Sequence, residues 1–264
     1  MREHPKKPPA FRGNRDSYAA LARCYDIFTK NMDYKKRTEY LCALLCRAGA
    51  RKGETILDLA CGTGTYTCAL LQAGYDVIGA DASSDMLQIA LEKTQALGLP
   101  PPLLLCQRLE SLDLYGTARA AVCLTDSLNH LTEPVLVRQF FGRLALFLEQ
   151  GAPFIFDVNT LYKHEKVLAD NTFLYNEKGV RCLWQNRWIP ERRTTEITLD
   201  IRQRVRGLAY ERWRECFAER AYSPEELTEW LAQAGFIVEY IYEELTDRPP
   251  SETAERIFFV TRRT

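Results

Sequence analysis

The chain has 264 residues, 46% hydrophobic and 27% charged, proportions that fill a substantial core and describe one main domain with one insertion. Its 35 basic side chains cancel its 35 acidic ones, so no overall field draws it to a polyanion or an anionic membrane. The longest apolar runs fall far short of the ~20 residues that span a bilayer, and an odd set of nine cysteines behind a polar opening segment predicts the reducing cytosol.

Residues 1–15, with three prolines and five Lys or Arg, are too polar to bury themselves and read as a flexible tail. From Tyr18 to Ala48 apolar residues recur at helical spacing, which predicts two cap helices divided near Asn31–Asp33. The period then changes. TILDLA (55–60), YDVIGAD (75–81), PLLLC (102–106), AAVCLT (120–125) and PFIFDV (153–158) have the length of buried strands, and helical stretches alternate with them. One of these, residues 135–151, reads as an amphipathic helix closed by Gly151. Such alternation predicts an α/β fold: a Rossmann-like, doubly wound and mostly parallel seven-stranded sheet behind an N-terminal helical cap. After Asn159 the pattern shifts to period two over 181–188, 194–206 and 209–222, three antiparallel strands of an inserted sheet that we bound at 161–222. The main domain then comprises 16–160 and 223–264. Ser223, Pro224 and Glu226 open a last helix that ends at Gly235, and strands 236–245 and 255–262 complete the chain.

The chemistry sits in Ile56-Leu57-Asp58-Leu59-Ala60-Cys61-Gly62-Thr63-Gly64, a strand running into a glycine turn that opens a helix. Glycine there exposes backbone N–H groups and admits a ligand without a Cβ in the way. No GK[ST] follows, which disfavours a nucleoside triphosphate, and Thr67 stands where the dinucleotide fingerprint needs its third glycine, which disfavours an NAD-linked oxidoreductase. Asp81 ends the next strand, where a carboxylate accepts from both hydroxyls of an unphosphorylated ribose. Asp58 suits an ammonium group, and a ligand with an amino acid at one end and a nucleoside at the other is S-adenosylmethionine.

ILDLACGTGTYT (56–67) followed by VIGADASSDML (77–87) resembles the glycine and ribose motifs of class I S-adenosylmethionine methyltransferases. YAALARCYDIFTKNMDYKKRTEYL (18–41), DSLNHL (126–131), FDVNT (156–160) and ERAYSPEEL (219–227) are similar to a bacterial small-molecule-type group of that class with a β-sheet insert. The resemblance implies Asp58, Ala60, Gly62 and Gly64 around the methionine end, Asp81 on the ribose, Met86 near adenine, and Tyr18 and Tyr25 sheltering the sulfonium. It also marks a departure: the family often has C-Q-D after its third strand, the Asp accepting from adenine, whereas here the run is Cys106-Gln107-Arg108. Arginine has no acceptor, which leaves two readings: adenine is held by backbone groups around Arg108 and by Leu109, or affinity for it is weaker than usual.

Asp126, Ser127, Asn129 and His130 follow the fourth strand, the edge where ligands gather in open α/β sheets. Asp126 is read as a cofactor-side residue and His130 and Glu219 as candidate bases; Asp157 and Asn159 end the fifth strand at the same ligand edge, Asn159 there as a turn cap rather than a substrate contact. No C-x-x-C occurs and Cys42 and Cys46 lie among leucines, so no metal is expected. The predicted activity is methyl transfer to nitrogen or oxygen of a small molecule, by a monomer or a homodimer. Two alternatives stay open: an RNA methyltransferase using residues 181–220, where ten arginines face six acids, and a non-catalytic module that kept the glycine loop.

Overall fold

The computed structural model describes residues 19–29, 32–177, 179–206 and 209–264; Tyr18 and the expected tail lie outside them. The apolar runs become β1 (Thr55–Leu59), β2 (Asp76–Asp81), β3 (Leu103–Cys106), β4 (Ala120–Cys123) and β5 (Pro153–Asn159). A second sheet follows, made of β6 (Thr172–Glu177), β7 (Val180–Ile189), β8 (Thr194–Arg206) and β9 (Ala209–Arg220), before β10 (Phe236–Glu243) and β11 (Arg256–Arg263) return to the first. The main sheet runs β10-β11-β5-β4-β1-β2-β3, with β11 antiparallel to its neighbours and the remaining pairs parallel. Strand order reverses between β1 and β4, which opens the crevice where open α/β sheets bind ligands.

Period-two side chains divide the core between the two faces. Leu41, Leu44 and Leu45 of α2 (Tyr34–Arg47) and Leu70 of α3 (Thr65–Gln72) pack with Ile56, Val122 and Ile155. On the other face Phe140 and Phe141 of α5 (Pro134–Phe147) and Trp230 of α6 (Pro224–Gln233) pack with Leu57, Phe154, Phe156 and Phe259. β5 is buried along its whole length, as a central strand covered on both sides must be. The second sheet turns Val180, Cys182, Ile197, Leu199 and Ile201 onto α1 (Ala19–Phe28) and onto Met86 of α4 (Ser84–Ala96), forming a roof above the crevice.

Helix starts follow their caps: Asp33 accepts from Lys36 N–H, Ser83 from Met86 N–H, and Ser223 forms a capping box with Glu226. Two expectations need correction. α5 stops at Phe147, not Gly151, because Leu148 turns extended and bridges Ala118 while Gly151 serves the turn into β5. The inserted sheet has four strands, not three: TFLYNE pairs antiparallel with β7, although its own pattern is half exposed and weakly alternating. Among the described residues no helix is long and apolar enough to cross a membrane.

Phe156 stacks between Phe154 and Phe259, with ring centroids 4.9 and 4.7 Å away, and is fully buried. Phe156→Ala is expected to lower unfolding free energy by about 3–5 kcal/mol, seen as a lower urea midpoint with an unchanged slope; a change under about 1 kcal/mol would mean that the layer repacks.

Candidate active site

Between β1 and α3 the chain turns through left-handed backbone at Ala60, Gly62 and Gly64. The two glycines serve different needs. A Cβ on Gly62 would meet no protein atom within 4 Å, and Gly62 lines the crevice, so its missing side chain leaves ligand space. A Cβ on Gly64 would lie 2.7 Å from Ala90 Cβ, so that glycine lets α4 pack against the loop. Asp81 holds the loop from the side: Gly62 N–H donates to Oδ2 and Ser83 N–H to Oδ1, each at 2.9 Å. Burial raises the Asp81 carboxyl above its ordinary range, and those N–H groups pull it back.

Asp58 is placed differently from the expectation. It faces the α2–α3 layer, takes the Thr67 hydroxyl, and is absent from the crevice wall, as is Gly64. Burial pushes its carboxyl up to about 7. Its geometry is that of a strut beneath the loop.

The crevice encloses about 780 Å³. Tyr25, Ala60, Gly62, Asp81, Met86 and Leu109 line one part, and Arg108 reaches its rim in an ion pair with Glu110. α1 is fastened over this part by Asp26, which accepts from Thr63 Oγ1 at 2.7 Å and pairs with Lys93 Nζ at 2.9 Å. Tyr25 is partly buried, and desolvation with the nearby Tyr34 drives its phenol well above its ordinary value; it is a neutral wall.

Asp126, His130, Lys163 and Glu219 line the other part. Thr125 and Asp126 are consecutive non-glycine residues with left-handed backbone, a conformation that costs about 1–2 kcal/mol per residue. It persists because Asp157, fully buried at the end of β5, accepts both of their N–H groups, at 2.9 and 2.6 Å. Arg256, the first residue of β11, joins Asp157 at 2.5 Å, Asp126 at 2.7 Å and Glu244 at 3.3 Å. Sequence reading missed this hub. The signal was an arginine opening the otherwise apolar run RIFFV. Asn159 Nδ2 bridges Asp126 at 2.9 Å and Glu219 at 3.3 Å, while Asn129 ties Asn159 to the carbonyl of Arg220. The β4 loop, β5 and the last residues of β9 are thereby locked together.

His130 Nε2 lies 3.8 Å from Glu219 Oε1, and its ring leans on Phe217 at 5.3 Å. Burial, reinforced by the Asp126 charge, pushes the Glu219 carboxyl up to about 8. Burial also moves His130 below its ordinary value, against the pull of Asp126. Asp126 goes the other way: burial opposes its charge, but Arg256, Lys163 and His130 outweigh burial and hold it well below the carboxylate range. Asp126, His130 and Glu219 bring ligand atoms within 4.8 Å of one another. Their charge is already answered by Arg256 and Lys163, so the cluster suits proton exchange better than a divalent ion.

Residues 56–151 match the family model described as a methyltransferase domain. A Geobacillus sp. (strain WCH70) protein named as a methyltransferase is 30% identical over 247 residues, covering 94% of this chain and all of the relative. The crystal structure of an S-adenosylmethionine-dependent methyltransferase from Clostridium acetobutylicum ATCC 824 superimposes with a TM-score of 0.83 at 27% identity, covering 93% of this chain and 98% of that one. The sugar N-methyltransferase KedS8 from Streptoalloteichus sp ATCC 53650 shares the fold over both full chains, with a TM-score of 0.74 at 18% identity.

The raised Glu219 carboxyl has a consequence for stability. An acid whose folded pKa of about 8 exceeds its unfolded value near 4.3 favours the fold while protonated, and that advantage is lost as pH climbs from about 5 through 8. Glu219→Gln should therefore become more stable relative to the parent over that window; thermal melts at pH 5 and pH 8.5 showing the same difference would contradict the assignment.

Proposed function

Since the chain belongs to the class I S-adenosylmethionine-dependent methyltransferases, we propose that it methylates a nitrogen or oxygen of a small molecule, with His130 and Glu219 managing the acceptor's proton. The residues present fit the cofactor. Gly62 leaves open the volume that a side chain would fill, and each Asp81 oxygen accepts one backbone N–H, which leaves lone pairs for ribose hydroxyls. Met86 and Leu109 supply apolar walls for a base, and Ala60 with Tyr25 flanks the passage toward Asp126.

S-adenosylmethionine, when bound, supplies a methyl group made electrophilic by its positively charged sulfur. The protein's part is to align the acceptor, exclude water and accept a proton. α1 and the inner face of the second sheet close the crevice from above, and the Arg256 hub fixes the loop that carries Asp126 and His130. The observation that carries the reading is the His130–Glu219 pair, the carboxyl buried and the partly exposed imidazole beside Phe217, both facing the crevice. Neutral His130 can take a proton from an acceptor held as an amine or hydroxyl, and Glu219 stabilises the imidazolium that results. KedS8 methylates a sugar nitrogen, a precedent within this fold for an amine acceptor.

The outer face of the second sheet supports a small acceptor over RNA. Arg187 pairs with Glu196 at 3.0 Å, and both Arg202 and Arg212 reach Asp200, so part of its positive charge is spent across strands. With an acceptor identified by transfer of labelled methyl into fractionated metabolites, His130→Ala should cut turnover about 10²-fold or more. In the parent, kcat/KM should rise with pH and level off above about 8 as Glu219 ionises, and Glu219→Gln should remove that inflection; profiles of the same shape in both proteins would rule Glu219 out. Raising salt from 50 to 200 mM should change acceptor KM by less than about twofold, whereas phosphate contacts to RNA would cost about 10³-fold or more.

A further inference from the structure

The family pattern places an aspartate where this chain has Arg108, and a guanidinium offers only donors. Two residues further on, Glu110 lines the same part of the crevice, beside Leu109, Met86 and Asp81. Its carboxylate is half used. Arg108 Nε donates to Oε1 at 2.5 Å, while Oε2 is buried and has no hydrogen-bond partner. The segment that carries it is clasped at both ends: Gln107 Nε2 donates to the Asp113 carbonyl at 3.0 Å and Gln107 Oε1 accepts from Asp113 N–H at 2.9 Å. Inside that clasp, residues Leu109–Ser111 form a single 3-10 turn.

A carboxylate oxygen shut away from water without a donor carries a desolvation cost that a ligand N–H removes. Oxygen without hydrogen is an acceptor alone, so the ligand group that fits is a donor. Adenine presents one such group on its edge, the exocyclic amine. We propose that Glu110 Oε2 accepts from the adenine amino group of the cofactor, so that the acceptor lost at position 108 is restored at position 110, with Arg108 holding the other oxygen in place. Glu110 is thereby the residue that distinguishes adenine from a base carrying a carbonyl at the same edge, which would set two acceptors against each other.

The test compares equilibrium binding of S-adenosylhomocysteine with that of S-inosylhomocysteine, in which the amino group is replaced by a carbonyl, by isothermal titration on the full chain. The parent should prefer the adenine compound by about tenfold to a hundredfold, the range for a hydrogen bond to a charged group. Glu110→Gln, whose amide both donates and accepts, should bring the ratio close to one, and Glu110→Ala should bring it below about threefold. Because the readout is a ratio, a variant that merely folds less well loses both ligands alike and leaves the ratio unchanged. Retention of the full preference in both variants would overturn the proposal and assign adenine to backbone groups, as would a parent with no preference.

Discussion

A guanidinium surrounded by carboxylates holds the ligand edge of this molecule in shape. Arg256 could not be buried alone, because an unpaired charge in a low-dielectric interior costs several kcal/mol, and Asp157 and Asp126 could not sit side by side without it. With all three present, Asp157 is free to hold two N–H groups of a loop whose backbone is strained, and that loop sets the direction of Asp126 and His130. The network spans β4, β5 and β11, so the last strand of the chain fastens residues that the sequence placed about 100 positions earlier.

The same edge separates two carboxyl groups by environment. Asp126, in contact with Arg256, stays ionised, while Glu219, more deeply buried and without a contacting guanidinium, is held nearer neutral. Pairs of acids driven apart in this way are a common arrangement where protons are moved. At the opposite end the acids are structural: crevice-lining Asp81 ties Gly62 N–H of the glycine loop to Ser83 N–H ahead of α4, and Asp58 supports the loop from below through Thr67.

How far this could be read in advance depended on whether the signal was local. Short apolar runs of Val, Ile, Leu and Phe gave the main strands, since burial on both faces leaves one pattern available. The glycine loop and Asp81 were legible because backbone freedom and a strand-end carboxylate are encoded within a few residues. β6 was not, because an edge strand half exposed to solvent has little alternation to show. The end of α5 was misplaced since a glycine four residues beyond Phe147 looked like the stop, whereas a bridge to Ala118, distant in sequence, ends the helix. The Arg256 hub and the turn of Asp58 toward Thr67 were hidden for a related reason: each depends on which strand lies next to which, and on which face a side chain points.

The clasp of Asp26, Lys93 and Thr63 over the glycine loop sits at the surface, where ion pairs contribute roughly 0–1 kcal/mol and weaken with added electrolyte. Most of the grip on α1 comes from Ala22, Cys24 and Phe28 pressed against the underside of the second sheet. Hydrophobic contacts of that kind loosen on cooling and carry a large heat-capacity change. The hold of this helix over the crevice is thus set more by the thermometer than by ionic strength, through three side chains of which Phe28 also lines the cleft.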